Sequence, residues 1–177
     1  MRLATLQNLV DRIDQKRRAL LERVSQMDPE QLTANPVEGK WSILQIIEHL
    51  VISERDVMPG LSNPADLVPG KKNFKDRALF RLVMVILRSP IPVKTPSRGM
   101  VPRGKKSLDE LRAMWDQNHE WLRSFVAGLD QSGESAAVFS HPVAGPLSPE
   151  EALRMLDVHL TRHIKQIDGL EKSARES

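Results

Sequence analysis

Three times in this chain a serine is followed three residues later by Gln or Glu, at the head of an apolar stripe. The pairs are Ser42 with Gln45, Ser107 with Glu110, and Ser148 with Glu151. In such a box the serine hydroxyl accepts the third residue's backbone N–H, and the longer side chain returns to the serine's own N–H. Two orphan donors of a helix start are satisfied together, so each box fixes where a helix begins. Behind Ser42 the stripe is Ile43, Leu44, Ile46, Ile47, Leu50 and Val51, with Val57 extending it, and Trp41 is placed to pack back on Ile46. Behind Ser107 it is Leu108, Leu111, Trp115, Leu122, Phe125, Val126 and Leu129. Behind Ser148, with Pro149 at the first helical position, it is Ala152, Leu153, Met155, Leu156, Leu160, Ile164, Ile167 and Leu170.

A further stripe, Leu6 to Met27, predicts a first helix over residues 4–27 that Asp28-Pro29 stops. Arg17 falls near this stripe and is expected at its edge or paired with an acid. Residues 30–40 read as a connection, with Pro36 and Gly39 as loop residues. Between the second and third helices lie some fifty residues with prolines at 59, 64, 69, 90, 92, 96 and 102. Only Phe74 to Arg88 can be helical there, and the stretch is too proline-rich to bury a core of its own. Gln131-Ser132-Gly133 reads as a turn, Ala136 to Phe139 as a brief strand, and Ser140 to Leu147 as loop. The expectation is all-α: one domain over residues 1–177, a four-helix bundle with a long crossover between helices two and three.

The crossover is also where the charge sits. The net charge is +3, but residues 71–106 hold eleven basic residues against the single acid Asp76, about +10, leaving about −7 elsewhere. Aromatics in that segment are limited to Phe74 and Phe80, which argues against nucleic acid. The simplest reading is a solvated crossover whose apolar side packs on the bundle; the other is a contact with an anionic membrane surface or a partner protein. With no apolar run near bilayer length, no stable membrane insertion is expected. Without cysteine, disulfides, zinc–thiolate sites and a cysteine nucleophile are excluded. A soluble cytoplasmic protein is expected, and Phe80 and Val85 are candidates for a homodimer contact.

His159 and His163 stand one turn apart within the apolar arc of the last helix. Two imidazoles so placed can grip one metal ion. His49, on the flank of helix two, can join them if helices two and four are adjacent. Neutral imidazoles suit zinc, nickel or iron(II), and three ligands without a fourth leave a position for water or substrate. The competing reading is that each is a packed or edge histidine. His119 is expected to pack beside Trp115 or to serve as an optional ligand, and His141-Pro142 to form a turn. Glu48, Glu120 and Asp157 are candidate proton-transfer or hydrogen-bonding helpers, and the spacing does not choose among them.

The stretch Gly39-Lys40-Trp41-Ser42 through Glu48-His49-Leu50 resembles the helix-two signature of the DinB-like superfamily. Likewise, His141-Pro142 through Ser148, followed by His159 to Ile167 with Arg162-His163 and Gln166, is similar to that family's closing pattern. Pro96 to Gly104 matches its approach to helix three. The resemblance spans essentially the whole chain. It implies an up-down-down-up bundle with a divalent metal on the histidines matching His49, His159 and His163. Relatives include transferases that join low-molecular-weight thiols such as bacillithiol or mycothiol to electrophiles, and a mycothiol-dependent isomerase. The resemblance thus points to a metal-dependent thiol S-transferase or related hydrolase acting on a small-molecule substrate, with Arg98, Arg103 and Lys105 available for an anionic cofactor. The alternative is a non-catalytic binding module with a structural or vestigial site.

Overall fold

The structure, a computed structural model, describes residues 2–35, 39–57, 73–89, 98–130 and 137–176. Its elements are α1 (Arg2–Ser25), α2 (Pro29–Thr33), α3 (Ile43–Val57), α4 (Phe74–Arg88), a single 3-10 turn (Arg98–Met100), α5 (Leu108–Ala127), β1 (Phe139–His141), β2 (Gly145–Leu147) and α6 (Pro149–Glu176). All three serine boxes close. Ser42 N–H donates to Gln45 Oε1 at 2.9 Å while Gln45 N–H donates to Ser42 Oγ at 3.2 Å. The same exchange joins Ser107 to Glu110, at 2.7 and 3.2 Å, and Ser148 to Glu151, at 3.0 and 3.4 Å.

The four long helices α1, α3, α5 and α6 form the bundle. Ion pairs record the directions. Arg12 and Lys16 bind Asp157 while Arg23, further along, binds Asp168 and Glu171, so α1 and α6 run in the same sense. Asp14 meets Arg123 whereas Arg112 reaches the Leu21 carbonyl, so α5 runs against α1. The short α2 packs on α3, and Gly104, four residues before α5, bonds Glu48 in the first half of α3, so α3 and α5 start at the same end and both run against α1. α3 packs on both α5 and α6 and completes an up-down-down-up arrangement. Two successive "down" helices need a return path along the bundle, and the long crossover supplies it. Within it, α4 lies on α6. A contiguous core draws on the stripes of all four long helices and on Val138, Ala144 and Leu147 of the hairpin region.

Several expectations are corrected. α1 occupies 2–25 rather than 4–27, and the presumed 30–40 connection contains α2. Pro29 ends one helix and also starts another, because its missing N–H costs nothing in a first turn; Asp28 N–H closes this start on Gln31 Oε1 at 3.3 Å. Residues 140–147 are not plain loop: Phe139 pairs with Leu147 and His141 with Gly145 in an antiparallel hairpin. Phe80 is half-buried against the core, not exposed, while Val85 is exposed. The expected Gln131-Ser132-Gly133 turn, Ala136, and the prolines at 36, 59, 64, 69, 90, 92 and 96 lie outside the described residues.

Candidate metal centre

His159 and His163 project from one face of α6, and the packing of α3 on α6 brings His49 to them. His49 Nε2 stands 3.3 Å from His159 Nε2, and His163 Nε2 stands 3.1 Å from it. One ring nitrogen from each of the three lies within 4.8 Å of those of the others, and the set can hold a metal ion. Three nitrogens tetrahedrally disposed at about 2.0–2.1 Å from one ion stand about 3.4 Å apart, close to the two separations measured. The rings pack edge to face, with centroids 4.6 to 5.2 Å apart.

The far side of two rings decides which nitrogen is offered. His49 Nδ1–H donates to the Met100 carbonyl at 2.8 Å, and His163 Nδ1–H donates to Gln166 Oε1 at 3.0 Å. A proton held on Nδ1 leaves the Nε2 lone pair free, so both rings point an acceptor at the common centre. Burial first, and then their mutual proximity and Arg162, hold His163 down to about 4 and His159 well below the ordinary histidine range, against the raising effect of Gln166 on His163. Burial also lowers His49, although its bond to Met100 opposes this. All three are therefore neutral at neutral pH, the form a metal requires.

Local chain chemistry fixes these partners. Met100 ends the 3-10 turn, and the loop after it is held by Gly104 N–H, which donates to buried Glu48 Oε2 at 2.6 Å. Gly104 has φ +65, and a Cβ there would stand 3.3 Å from Gln45 Nε2. A side chain is thus disfavoured twice over. Trp41 lays its ring 4.8 Å from His49 and shields it. Arg162, next to His163, donates to the Ile86, Leu87 and Ser89 carbonyls at 3.3, 3.4 and 2.6 Å, which caps the end of α4 and ties it to α6.

The other candidates separate cleanly. His119 is fully buried on α5 and faces Asp14 at 3.6 Å, apart from the trio. His141 Nδ1 accepts the Val143 and Ala144 backbone N–H groups at 3.1 and 3.0 Å, as a turn residue does. Of the three helpers, Glu48 ties down the loop that supplies Met100. Asp157 is engaged by Arg12 and Lys16, and Glu120 is exposed. Arg103 and Lys105 are exposed, and the Arg98 side chain is outside the described set. Sequence reasoning missed Gln166 and Met100 as partners. Gln166 was findable, three residues after His163 and so on the same face; a backbone carbonyl carries no residue signature.

A sequence model of the DinB superfamily matches residues 12–167. The chain belongs to the DinB superfamily. The match takes in the three histidines, the whole of α3 and α5, and most of α1 and α6. This DinB chain is also similar in structure to TT2238, described as a four-helix bundle protein, with a TM-score of 0.59 at 25% identity over 93% of this chain and 98% of that one. No curated protein matches the sequence.

Proposed function

We propose that this chain is a metal-dependent enzyme of the thiol S-transferase type, or a related hydrolase, acting on a small molecule. His49, His159 and His163 hold the divalent ion, with zinc or nickel the best fit and iron(II) compatible. The observation that carries the reading is the convergence of three neutral imidazoles, two of them buried and His159 partly so, with no carboxylate in the group among the described residues. Such a donor set leaves part of the coordination sphere to water or substrate, as catalytic sites do and closed structural sites do not. Once bound, a divalent ion acidifies a coordinated water or thiol toward neutral pH. The chain's own contribution is to keep both Nδ1 protons on Met100 and Gln166, to present the lone pairs, and to exclude solvent with Trp41. A low-molecular-weight thiol would provide the sulfur that a cysteine-free chain lacks.

Metal analysis of protein purified without a histidine tag tests this. About one equivalent per chain is expected, falling to near zero in His159→Ala. Less than about a tenth of an equivalent, unchanged by that substitution, refutes the metal site. A loaded protein that turns over neither thiol–electrophile pairs nor hydrolysable esters and amides would refute the enzyme reading and leave a metal-binding module.

A further inference from the structure

We infer that the outer face of α4 is a docking surface for an anionic lipid bilayer, on which the protein adsorbs reversibly without insertion of a spanning helix. The observation is a distribution of side chains. Phe74, Leu82 and Val85 are 87%, 52% and 62% exposed, three of the five large apolar residues that stand exposed among those described. At about 100° per residue they fall with Ala78 on one ridge about 80° wide. Arg77, Arg81 and Arg88 flank that ridge on one side and Lys75 on the other. The opposite face is accounted for: Met84 is buried, and Phe80 and Val83 pack on the core. An apolar stripe with basic margins, lying along a protein surface, is the arrangement of an interfacial helix.

The charges are available to a partner. Lys75, Arg77 and Arg81 have no carboxylate partner among the described residues, and Arg88 reaches only the Met84 carbonyl of its own helix, at 3.5 Å. The acid on this helix, Asp76, is turned to its N-terminal cap. A second copy of the chain is a poor occupant, because a two-fold contact would press two cationic margins together. The face is a convex ridge rather than a groove, which suits a deformable surface better than a folded acidic protein. Among the described residues no helix is long and apolar enough to cross a membrane, so the contact is peripheral. Through Arg162, the C-terminal end of this helix is tied to the turn of α6 that carries His163.

The experiment is cosedimentation of the full chain with vesicles of phosphatidylcholine alone and of phosphatidylcholine with phosphatidylglycerol in about a 2:1 ratio. Two variants, Leu82→Glu/Val85→Glu and Arg77→Glu/Arg81→Glu, are included; both alter exposed positions, and circular dichroism checks their fold. Each basic residue near such a surface is worth about fivefold in partitioning, so the arginine variant should lose well over tenfold. The apolar variant should lose at least about tenfold, and wild-type binding should weaken as salt rises. No binding to the anionic vesicles overturns the inference, as does binding that survives either variant. Wild-type protein that elutes as a dimer which Leu82→Glu/Val85→Glu splits would show that a second copy covers the face. Retention on polyglutamate without vesicle binding would point to an acidic protein instead; both results overturn the lipid surface.

Discussion

Replacing Glu54 by Gln should stabilise the protein at alkaline pH far more than at acid pH. Glu54 is 5% exposed, on the face of α3 turned toward α1 and α5. Its Oε2 accepts the Trp115 indole N–H at 2.8 Å, and Oε1 is buried with no hydrogen-bond partner among the described residues. Burial raises its pKa from 4.5 to about 7, with the Trp115 bond and Arg17 opposing. The folded state therefore binds the proton more tightly than the unfolded chain, and stability falls as pH rises from 4.5 through 7. A shift of that size is worth about 3 kcal/mol, of which about 2.5 kcal/mol appears between about pH 5 and pH 8. Gln keeps an oxygen for Trp115 and cannot ionise. Any cost of its extra buried amide N–H is the same at both pH values and cancels from the comparison. Urea unfolding followed by circular dichroism is the assay. The difference in stability between Glu54→Gln and wild type should shift in favour of the variant by about 2.5 kcal/mol on going from pH 5 to pH 8. Near pH 8 that corresponds to roughly 5–10 °C in Tm for a chain of this size. A gap that stays constant within about 0.5 kcal/mol across that range would refute the argument that Glu54 is held in the fold as an acid.

Two further predictions concern the frame around the histidines. Gln166→Ala should weaken metal binding by roughly tenfold or more, because His163 loses the acceptor that keeps its proton on Nδ1, while Gln166→Glu should restore it; competition against a chromophoric chelator measures both. Gly104→Ala forces a Cβ into a left-handed backbone position against Gln45, and should cost about 1–2 kcal/mol in urea unfolding while loosening the loop that presents Met100 to His49.

What could be read from the sequence was local, and what could not was mostly tertiary. The serine boxes are legible because donor and acceptor sit three residues apart, and the same holds for His159 with His163. His49 needed the extra step that α3 and α6 are neighbours, which the long crossover permits and the family pattern supports. Arg17, read as an outlier near an apolar stripe that would pair with an acid, does pair with Asp14 at 2.8 Å. Its second carboxylate, Asp116, comes from α5 and has no local signal. Of the β1–β2 hairpin only a brief strand ending at Phe139 is legible, and the rest reads as loop, because its strands are three residues long, too short for an alternating pattern to show. The exposed apolar ridge of α4 was only half legible. The helix and its charge are in the sequence, but which apolar residues stay exposed depends on how α4 rolls onto α6.

The bundle buries two polar clusters, and electrostatics explains why only one of them suits a cation. Asp14, Arg17, Glu54, Trp115 and His119 come together between α1, α3 and α5, with two carboxyls and an imidazole that on composition alone would be attractive to a metal. There the positive charge is already present. The Arg17 guanidinium donates to both Asp14 and Asp116 and lies 5.9 Å from the centre of the Trp115 ring. Burial alone would raise Asp14, yet bonds from Arg17 and Arg18 and the proximity of His119 hold its pKa below the ordinary value. Burial, joined by Arg17, Arg123 and Arg18, keeps His119 down to about 4 despite Asp14. A second cation would meet the guanidinium charges of Arg17, Arg123 and Arg18, although Glu54 Oε1 and both His119 ring nitrogens lack a hydrogen-bond partner among the described residues. At the three histidines the balance is reversed: the rings are neutral, their Nδ1 protons on His49 and His163 point outward, and the adjacent cation, Arg162, turns to the α4 carbonyls. Converging lone pairs without a positive partner are costly to bury unless something accepts them. An ion at that point resolves the cost, whereas in the Asp14 cluster Arg17 already supplies the positive charge that a cation would bring.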